Sequence, residues 1–384
     1  MRSLQKIFDP ANPVYLDYNA TTPIDPRVFA EMQPFLGVHF GNPSSAHIYG
    51  VIAKKAVSNA RRQMAELINC EPENILFTSG GTESNNHAIR GYVFANRKRG
   101  NHIIISQIEH PAVVNVCEFL KKNGFEISLI PVDECGLVDP AEVAEAIRND
   151  TILISVMHAN NEVGTIQPVK EIAAVAHRKG IVMHCDAAQS VGKIPVDVKD
   201  LEVDLLSIAG HKFYAPKGVG ALYIRPGTEL KKFMLGGNQE ADRRAGTENV
   251  AALVALGKAA EIAKSSLEDD SRHSSNLRDL LQTELLAAFP AARINGHPVK
   301  RLPNTLNISF SNADEFAVLE IFTEIAASAG AACHADSVSI SPVLQAMQVP
   351  PEYARGTIRF SVGRFTTEKD IIKAVEIVKC LLKL

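Results

Sequence analysis

The chain has no tryptophan and carries almost no net charge. Its 40 Lys and Arg residues against 43 Asp and Glu residues give a net charge of −3 at neutral pH. A protein that binds DNA or RNA presents a basic surface to the phosphates, and nothing in this balance indicates one. We therefore expect no nucleic-acid partner.

Long apolar runs are also missing. No stretch approaches the ~20 apolar residues of a membrane helix, and residues 1–15 lack the apolar core of a signal peptide. The six cysteines are widely spaced and form no Cys-x-x-Cys pair, which argues against a zinc ribbon or a secreted disulfide scaffold. We expect a cytoplasmic protein with free thiols, no bound metal and no membrane association.

The 384 residues are enough for two domains, and 46% hydrophobic and 22% charged residues are typical of a globular protein. Between residues 75 and 225, short apolar runs alternate with amphipathic segments. This alternation predicts a mostly parallel sheet covered by helices on both faces. Buried strands are predicted at residues 75–78, 103–106, 127–130, 152–155 and 181–184, and helices at 112–122, 140–148 and 169–179.

The pattern changes after residue 247. A long helix at 248–289 leads to a smaller unit with a strand at 304–310, a helix at 315–325, a loop of small residues, a strand at 357–362 and a last helix. We predict an α/β protein with a large domain at residues 15–255. Residues 1–14 and 256–384 are predicted to form a smaller α+β domain.

Lys212 lies just past a predicted strand and is followed by a proline and two glycines. A lysine in this position can bond covalently to an aldehyde cofactor, because a desolvated amine loses its proton readily and becomes a nucleophile. The alternative is that Lys212 and the neighbouring Lys217 are both surface charges on a turn.

A glycine-rich turn at residues 79–84 follows another strand and opens a helix. Its backbone N–H groups, around Gly81, and the hydroxyl of Thr82 offer an anion site for a phosphate. A plain glycine turn at a helix start is the simpler interpretation. His110 follows a third strand, where it could stack on a ring or cap the next helix.

Asp186 ends a fourth strand. A carboxylate there can pair with the protonated pyridine nitrogen of an electron-withdrawing cofactor. A metal site with His184 and Cys185 is the competing interpretation. Side chains alternate along a strand, so Cys185 faces away from the other two and a three-ligand site is not favoured.

Together these motifs resemble the class V aminotransferase-like, fold type I pyridoxal-phosphate enzymes, and among them the cysteine desulfurases and selenocysteine lyases. The resemblance covers nearly the whole chain and rests on motifs in the expected order. They are residues 15–23, 41–45, 77–86, 109–110, 160–162, 184–189, 210–212, 244–249 and 358–364. The resemblance implies a seven-stranded-type, mostly parallel sheet, the cofactor pyridoxal 5'-phosphate and a homodimer.

The resemblance also implies a role for individual residues. Lys212 would hold the cofactor and remove the substrate α-proton, and Asp186 would pair with the pyridine nitrogen. The other implied roles are ring stacking and proton transfer for His110, a hydrogen bond to the ring oxygen for Gln189, phosphate binding for Gly81, Thr82, His211 and Thr247 of the partner subunit, and substrate carboxylate binding for Asn161 and Arg359.

Cys333 lies in a run of small residues at 326–336, which we expect to be a movable loop with an accessible thiol. A linker with an incidental cysteine is the alternative. The resemblance implies that Cys333 takes the sulfur of L-cysteine as a persulfide, leaving L-alanine. The sulfur then passes to an acceptor protein of unknown identity, in sulfur metabolism such as iron–sulfur cluster assembly.

Other activities share these motifs. Residues 330–334 and 210–214 look more like a selenocysteine lyase, so L-selenocysteine is the alternative substrate. An aminotransferase is a more distant alternative, because it needs no mobile thiol loop. A non-catalytic regulator would need a DNA-binding module, and the sequence shows neither a helix-turn-helix segment nor a basic face.

Two departures from the desulfurases carry expectations. Ala209 stands where many of them have a serine that donates to the phosphate, so we expect cofactor binding to be ~1 kcal/mol weaker unless water replaces that bond. The chain also ends soon after its last predicted helix. We therefore expect no long C-terminal tail for docking an iron–sulfur scaffold protein.

Overall fold

The computed structural model describes residues 13–382 apart from residues 312, 314, 330, 335 and 336. For residues 315–317, 319, 320, 331–334 and 337–339 it describes the backbone alone. The predicted packing of residues 1–12 with the small domain lies outside the described residues.

The first part of the chain supplies the strands of the large sheet and its covering helices, together with β1, a short strand that lies outside this sheet. In order, these are β1 (Val14–Tyr15), α1 (Pro26–Gly37), α2 (Ile48–Leu67), β2 (Ile75–Thr78), α3 (Gly81–Ala95), β3 (His102–Ser106), α4 (Pro111–Lys121), β4 (Glu126–Ile130), α5 (Pro140–Ala146), β5 (Thr151–Ser155), α6 (Val169–His177), β6 (Val182–Asp186), β7 (Leu205–Ala209), β8 (Gly220–Ile224) and α7 (Gln239–Asp242).

The second part begins with a long helix and continues through short strands. These elements are α8 (Val250–Ala288), β9 (Arg293–Asn295), β10 (Thr305–Ser309), α9 (Glu315–Glu324), β11 (Ile325–Ala326), β12 (Ser328–Ala329), β13 (Ala331–His334), β14 (Ser337–Ile340), α10 (Pro342–Ala346), α11 (Pro351–Ala354), β15 (Thr357–Ser361) and α12 (Glu368–Leu381).

Within the described residues, seven strands form one sheet in the order β2-β8-β7-β6-β5-β3-β4. Only β8 runs antiparallel to its neighbours in this sheet, so the predicted mostly parallel α/β sheet is confirmed. Alternate residues of a central strand enter separate cores on the two faces. Ile104 packs with the core that includes α2 and α8, whereas Ile103 and Ile105 pack with α3 and α4.

The five predicted strands of this sheet all exist, with ends displaced by no more than two residues. One expectation about them is wrong. The strand predicted at residues 127–130 was expected to be buried, but β4 is the last strand of the sheet and its Leu129 is 54% exposed. An edge strand has a neighbour on one side only, so water reaches side chains that the apolar pattern places inside.

A second sheet of four antiparallel strands, ordered β12-β15-β10-β9, has its own core. Helix α8 connects the two units. Its first half, up to Ala263, packs in the core beside α1 and α2, and its second half places Leu277, Leu281 and Leu285 in the core of the second sheet. Among the described residues, no helix is long and apolar enough to cross a membrane. The predicted domain division at residue 255 stays a prediction.

The expectation of an irregular loop at residues 326–336 is wrong for the described backbone. β12 joins the second sheet, and β13 pairs with β14 as an antiparallel hairpin that includes Cys333. Small residues have little apolar surface and no clear alternation, so the sequence pattern hides these strands. A two-stranded hairpin of this kind is only marginally stable by itself.

Arg364 joins the two parts of the structure just after β15. Its guanidinium donates to Asp25, at 2.6 Å, and to Asp270, at 2.7 Å, and lies 4.3 Å from the ring centre of Tyr214. Asp25 caps α1 and is 1% exposed, while Asp270 belongs to α8. One cation therefore neutralises carboxylates on two helices, and its loss leaves Asp25 with Arg27 as its remaining partner.

We predict that Arg364→Met lowers the free energy of unfolding by about 3 kcal/mol, because it leaves a buried carboxylate short of a partner. The matched control is Arg272→Met, which removes an exposed ion pair with Asp269. Both residues lie on α8, the helix that carries Asp270. That change should cost less than about 1 kcal/mol. Urea denaturation measures both, and equal effects of the two variants would contradict the role given to Arg364.

Candidate active site

A cavity of about 350 Å³ lies where β6 and β7 end. The carboxyl ends of parallel strands are the usual ligand-binding edge of such a sheet. Nine of the predicted site residues line this cavity together: Gly81, Thr82, His110, Asn161, Asp186, Gln189, His211, Lys212 and Arg359. Residues that are up to 278 positions apart in sequence (Gly81 to Arg359) thus meet at one place.

Lys212 occupies a single 3-10 turn, Gly210–Lys212, directly after β7. Its Nζ donates to the backbone oxygens of Asn19, at 2.6 Å, and Ala20, at 2.9 Å. Burial and, after it, the nearby positive charge of Arg359 lower the pKa of Lys212 to about 8. Roughly a tenth of this amine is therefore unprotonated at pH 7, against well under a thousandth for an ordinary lysine of pKa about 10.4, and the unprotonated form is the one that attacks.

The glycine-rich turn before α3 is built for close approach. Gly80 has φ +146°, a conformation that side chains rarely adopt, and a Cβ on Gly81 would lie 3.2 Å from the Cβ of Ala209. The first backbone N–H groups of α3 have no partner within the helix, and Thr82 adds an exposed hydroxyl beside them. This turn fits a phosphate group, with Ala209 facing it through a methyl group only.

His211 faces the same end of the cavity. Its Nδ1 lies 3.1 Å from the hydroxyl of Thr21. Burial lowers its pKa to about 4, with further contributions from Lys212, Lys217 and Lys193. The ring is thus neutral and offers a hydrogen bond rather than a charge.

Asp186 is fixed at the end of β6 by two donors. Its Oδ2 accepts from Asn85 Nδ2 at 2.6 Å, and its Oδ1 accepts from the backbone N–H of Ala188 at 2.9 Å. The competing metal interpretation does not fit, because both ring nitrogens of His184 bond to serine hydroxyls, at 2.8 and 3.0 Å. Cys185 points into the core on the other side of the strand.

His110 caps the next helix, which was one of the two interpretations of the sequence, and its stacking on a ring stays a prediction. It caps α4, where its Nδ1 accepts from the backbone N–H of Ala112 at 3.0 Å, and it lines the cavity. Burial lowers its pKa, the charge of Asp186 raises it, and Lys212 lowers it again. Because Nδ1 is engaged, Nε2 is the nitrogen left for contact with a ligand.

Arg359 on β15 brings the second sheet to the cavity. Its NH2 donates to Asp17, at 2.5 Å, and to Ser328, at 2.6 Å, and its NH1 donates to the backbone oxygen of Asn161 at 3.1 Å. Its Nε is buried without a partner among the described residues. The side chain is thus held in place by three of its five N–H groups, while one N–H on Nε and one on NH1 have no partner among the described residues. Free donors on a fixed guanidinium suit the binding of a carboxylate.

Of the other two predicted site residues, Thr247 does not line the cavity and the side chain of Cys333 lies outside what the structure describes. Thr247 is exposed on the loop after α7, as expected for a residue that would serve a partner subunit. Buried ion pairs hold this loop: Arg244 with Glu83 at 2.8 Å, and Arg61 with Glu240 at 2.6 Å. For Cys333 the backbone alone is described, so its role stays a prediction.

Three further residues, Asn19, Asp17 and Asn85, hold site residues in place although the sequence predicted no role for them. All three lie in motifs on which the resemblance rests. Asn19 accepts from Lys212, Asp17 pairs with Arg359, and Asn85 binds Asp186. Asn19 is 1% exposed. The available sequence signal was an asparagine directly before an Ala-Thr-Thr-Pro run, which is typical of a turn. Its burial, which gives the amide its need for partners, is visible only in the structure.

The chain is similar to known proteins over nearly its whole length. The family model described as aminotransferase class V matches residues 14–373. A cysteine desulfurase IscS from Dictyoglomus turgidum is 47% identical over 372 residues, covering 96% of this chain and 94% of that protein. One from Methanosarcina thermophila is also 47% identical, covering 95% of this chain and 91% of that protein. A solved NifS-like protein superposes with a TM-score of 0.91 at 37% identity, covering 96% of this chain and 99% of that one.

We predict that the amine of Lys212 becomes reactive with a midpoint near pH 8, since only the unprotonated form attacks an electrophile. The measurement is the rate of covalent labelling of Lys212 by an amine-specific reagent between pH 6 and pH 11, followed on its peptide by mass spectrometry. Lys212→Ala removes the labelled site and serves as the control. A midpoint near the ordinary lysine value of about 10.4 would contradict the account.

Proposed function

This chain belongs to the aminotransferase class V family, and we propose that it is a cysteine desulfurase that uses pyridoxal 5'-phosphate. The enzyme converts L-cysteine to L-alanine and passes the sulfur through a cysteine of its own to an acceptor. One observation carries the proposal: Lys212, Asp186 and Arg359 converge on one cavity of about 350 Å³. The relatives named cysteine desulfurase IscS support the same activity.

The cavity residues fit the cofactor. The open turn at Gly81, together with Thr82 and His211, would hold the phosphate. Asp186 would face the pyridine nitrogen and Gln189 the ring oxygen, with His110 against the ring. When bound, pyridoxal phosphate withdraws electrons from the substrate α-carbon.

The chain's own residues supply the rest of the mechanism. Lys212, with its pKa near 8, binds the cofactor and then takes the proton from the substrate α-carbon. The negative charge of Asp186 keeps the pyridine nitrogen protonated. Arg359 binds the substrate carboxylate and so orients the side-chain sulfur away from it. In this arrangement the base and the carboxylate anchor come from different sheets.

Cys333 completes the reaction. Its thiolate bonds to the substrate sulfur, the bond from that sulfur to the β-carbon breaks, and the electron pair stays on the carbon, which is protonated to the methyl group of alanine. The position of β12 supports this role. Ser328 accepts a hydrogen bond from Arg359. Five further residues span at most about 18 Å, so the Cα atom of Cys333 lies within about 18 Å of the Cα atom of Ser328.

We predict that Cys333→Ser abolishes release of alanine from L-cysteine but retains much of any release from L-selenocysteine. A selenol ionises at neutral pH and selenium leaves carbon more readily than sulfur, so selenium needs less help from a nucleophile. The assay is alanine formation from both substrates. Cys380→Ser is the control, because Cys380 is an exposed free thiol on α12.

The outcomes separate the alternatives. Full cysteine activity in Cys333→Ser would contradict the role of this residue. A wild-type enzyme that ignores cysteine but turns over selenocysteine is a selenocysteine lyase instead. If Cys380→Ser also loses activity, the effect is not specific to Cys333.

A homodimer forms part of the proposal. Several large apolar side chains are exposed on α1, on the start of α2 and between them, and the rings of Phe40 and Tyr49 stack there. These residues, the α1–α2 patch, are Phe29, Leu36, Val38, Phe40, Ile48, Tyr49 and Val51. An exposed apolar group of this size is typical of an interface, and closed symmetric dimers are the commonest assembly. Such a dimer lets Thr247 of the partner subunit complete the phosphate site.

We predict that the double change Leu36→Asp with Phe40→Asp converts the dimer to a monomer and weakens cofactor binding. The two side chains are 63% and 72% exposed, so their replacement leaves the core intact. Sedimentation equilibrium measures the mass. The control is Ile372→Asp, which charges an apolar residue that is 49% exposed on α12. A fully active wild-type monomer, or a charged variant that stays dimeric, would refute this interface.

The cellular setting is proposed on chemistry. All five cysteines whose side chains the structure describes are free. Free thiols are typical of a reducing compartment, which supports a cytoplasmic location. The sulfur carried by Cys333 would pass there to an acceptor protein, whose identity the site does not specify.

A further inference from the structure

A second lysine lies beside Lys212 and has no part in the mechanism described above. Lys193 donates from Nζ to Oδ1 of Asn19 and to Oε1 of Gln189, both at 2.8 Å. Lys193 and Lys212 also line one small cavity of about 20 Å³ behind the active site. Gln189 and Asn19 in turn line the larger cavity that contains Lys212 and Asp186.

The surroundings of Lys193 are unusual for a lysine. Its two hydrogen-bond partners are neutral amide oxygens, and within the described part of the chain no carboxylate pairs with it. The charges nearest to it are those of Lys212 and Arg359, which are also positive. Burial, followed by these two cations, lowers the pKa of Lys193 well below its ordinary value. The two contacts use two of the N–H donors of this amine.

Gln189 is held between two partners on opposite sides of its amide. Oε1 accepts from Lys193, while Nε2 donates to the backbone oxygen of Asn19 at 3.0 Å. An isolated amide can turn over and exchange its oxygen and nitrogen at little cost. Because the Nζ group of Lys193 donates a hydrogen bond, it favours the orientation in which Oε1 of Gln189 faces it. Lys193 therefore keeps the NH2 group of Gln189 on the side of Asn19 and the cavity.

Asn19 links this pair to the second sheet and to Lys212. Its backbone oxygen accepts from both Lys212 and Gln189, and its side-chain Nδ2 donates to the hydroxyl of Thr305 on β10 at 2.8 Å. Its Oδ1 accepts from Lys193 and from Asn304. The orientation of Asn19 thus depends on Lys193 from one side and on the second sheet from the other.

The backbone before Lys193 is tied to the turn that carries Lys212. Gly192 has φ +78°, and a Cβ placed on it would lie 2.6 Å from the Cβ of Phe213. Such a contact excludes any side chain at this position. The backbone before Lys193 therefore lies in close contact with the residue that follows Lys212.

We propose that Lys193 is a positioning residue that holds the amide of Gln189 in the orientation needed to donate to the cofactor ring oxygen, and that holds Asn19 in place as the acceptor for Lys212. The inference rests on the proposed pyridoxal-phosphate function. It gives a half-buried lysine that has no carboxylate partner among the described residues a defined task, and it makes Gln189 the residue through which Lys193 acts on the cofactor.

The test is Lys193→Met, which keeps an unbranched side chain one atom shorter than lysine and removes the hydrogen bonds to Asn19 and Gln189. We expect pyridoxal phosphate to bind the cofactor-free variant about tenfold more weakly, as the loss of one to two hydrogen bonds implies. We also expect a displaced absorption maximum of the lysine-bound cofactor. Both are measured by titrating cofactor-free protein with pyridoxal phosphate. The matched control is Lys199→Met, an exposed lysine in the same segment, which should behave as wild type.

A double-mutant cycle shows whether Lys193 acts through Gln189. Gln189→Leu should weaken cofactor binding by itself. Adding Lys193→Met should then change the affinity less than twofold, because the amide that Lys193 orients is gone and Asn19 keeps its bonds to Thr305 and Asn304. Independent, additive losses would overturn the proposal. So would a Lys193→Met protein with wild-type affinity and spectrum, even if its melting temperature falls, since that result describes a purely structural residue.

Two further arms keep the result interpretable. If Lys193→Met does not fold, Lys193→Gln retains a polar but shorter side chain and should show the same losses. If wild-type protein does not bind pyridoxal phosphate at all, the proposed function fails, which is distinct from a wild type that binds normally and a Lys193 variant that does the same.

Discussion

The desolvated amine of Lys212 is the interaction on which the rest of the site depends. A lysine in water keeps its proton and attacks nothing, whereas burial and the nearby cation Arg359 lower the pKa of Lys212 to about 8. Two backbone oxygens, of Asn19 and Ala20, accept from its Nζ and hold it at the edge of the large sheet. The fold achieves this by placing Lys212 at the end of β7, with the segment after β1 lying against it.

That segment explains why two sheets are needed. Tyr18 and Asn19 bond Ser361 of the second sheet through their backbone N–H groups, and Thr22 bonds the backbone oxygen of His211 beside Lys212. A stretch of about five residues therefore forms a wall shared by both sheets. The general base comes from one sheet and the carboxylate anchor Arg359 from the other, so their separation depends on how firmly Arg364 and this wall hold the units together.

Much of the fold and most of the site could be predicted from the sequence because they depend on local pattern. Buried parallel strands are continuous apolar runs such as Ile103 to Ile105, and the chemistry-bearing residues follow them directly. The hairpin at Cys333 could not be predicted, because alanine, serine and glycine leave no alternation to detect. The exposure of Leu129 depends on strand order, which no short segment encodes. Asn19 and Lys193 meet across 174 residues, so only the folded chain shows that they share a hydrogen bond.

The most direct test of the central claim is to locate the cofactor bond itself. Borohydride reduction of the protein loaded with pyridoxal phosphate, followed by peptide mapping with mass spectrometry, identifies the lysine that carries the cofactor. The account predicts a single reduced adduct on Lys212 and none on Lys193 or Lys217. An adduct on either of those lysines, with Lys212 unmodified, would contradict it.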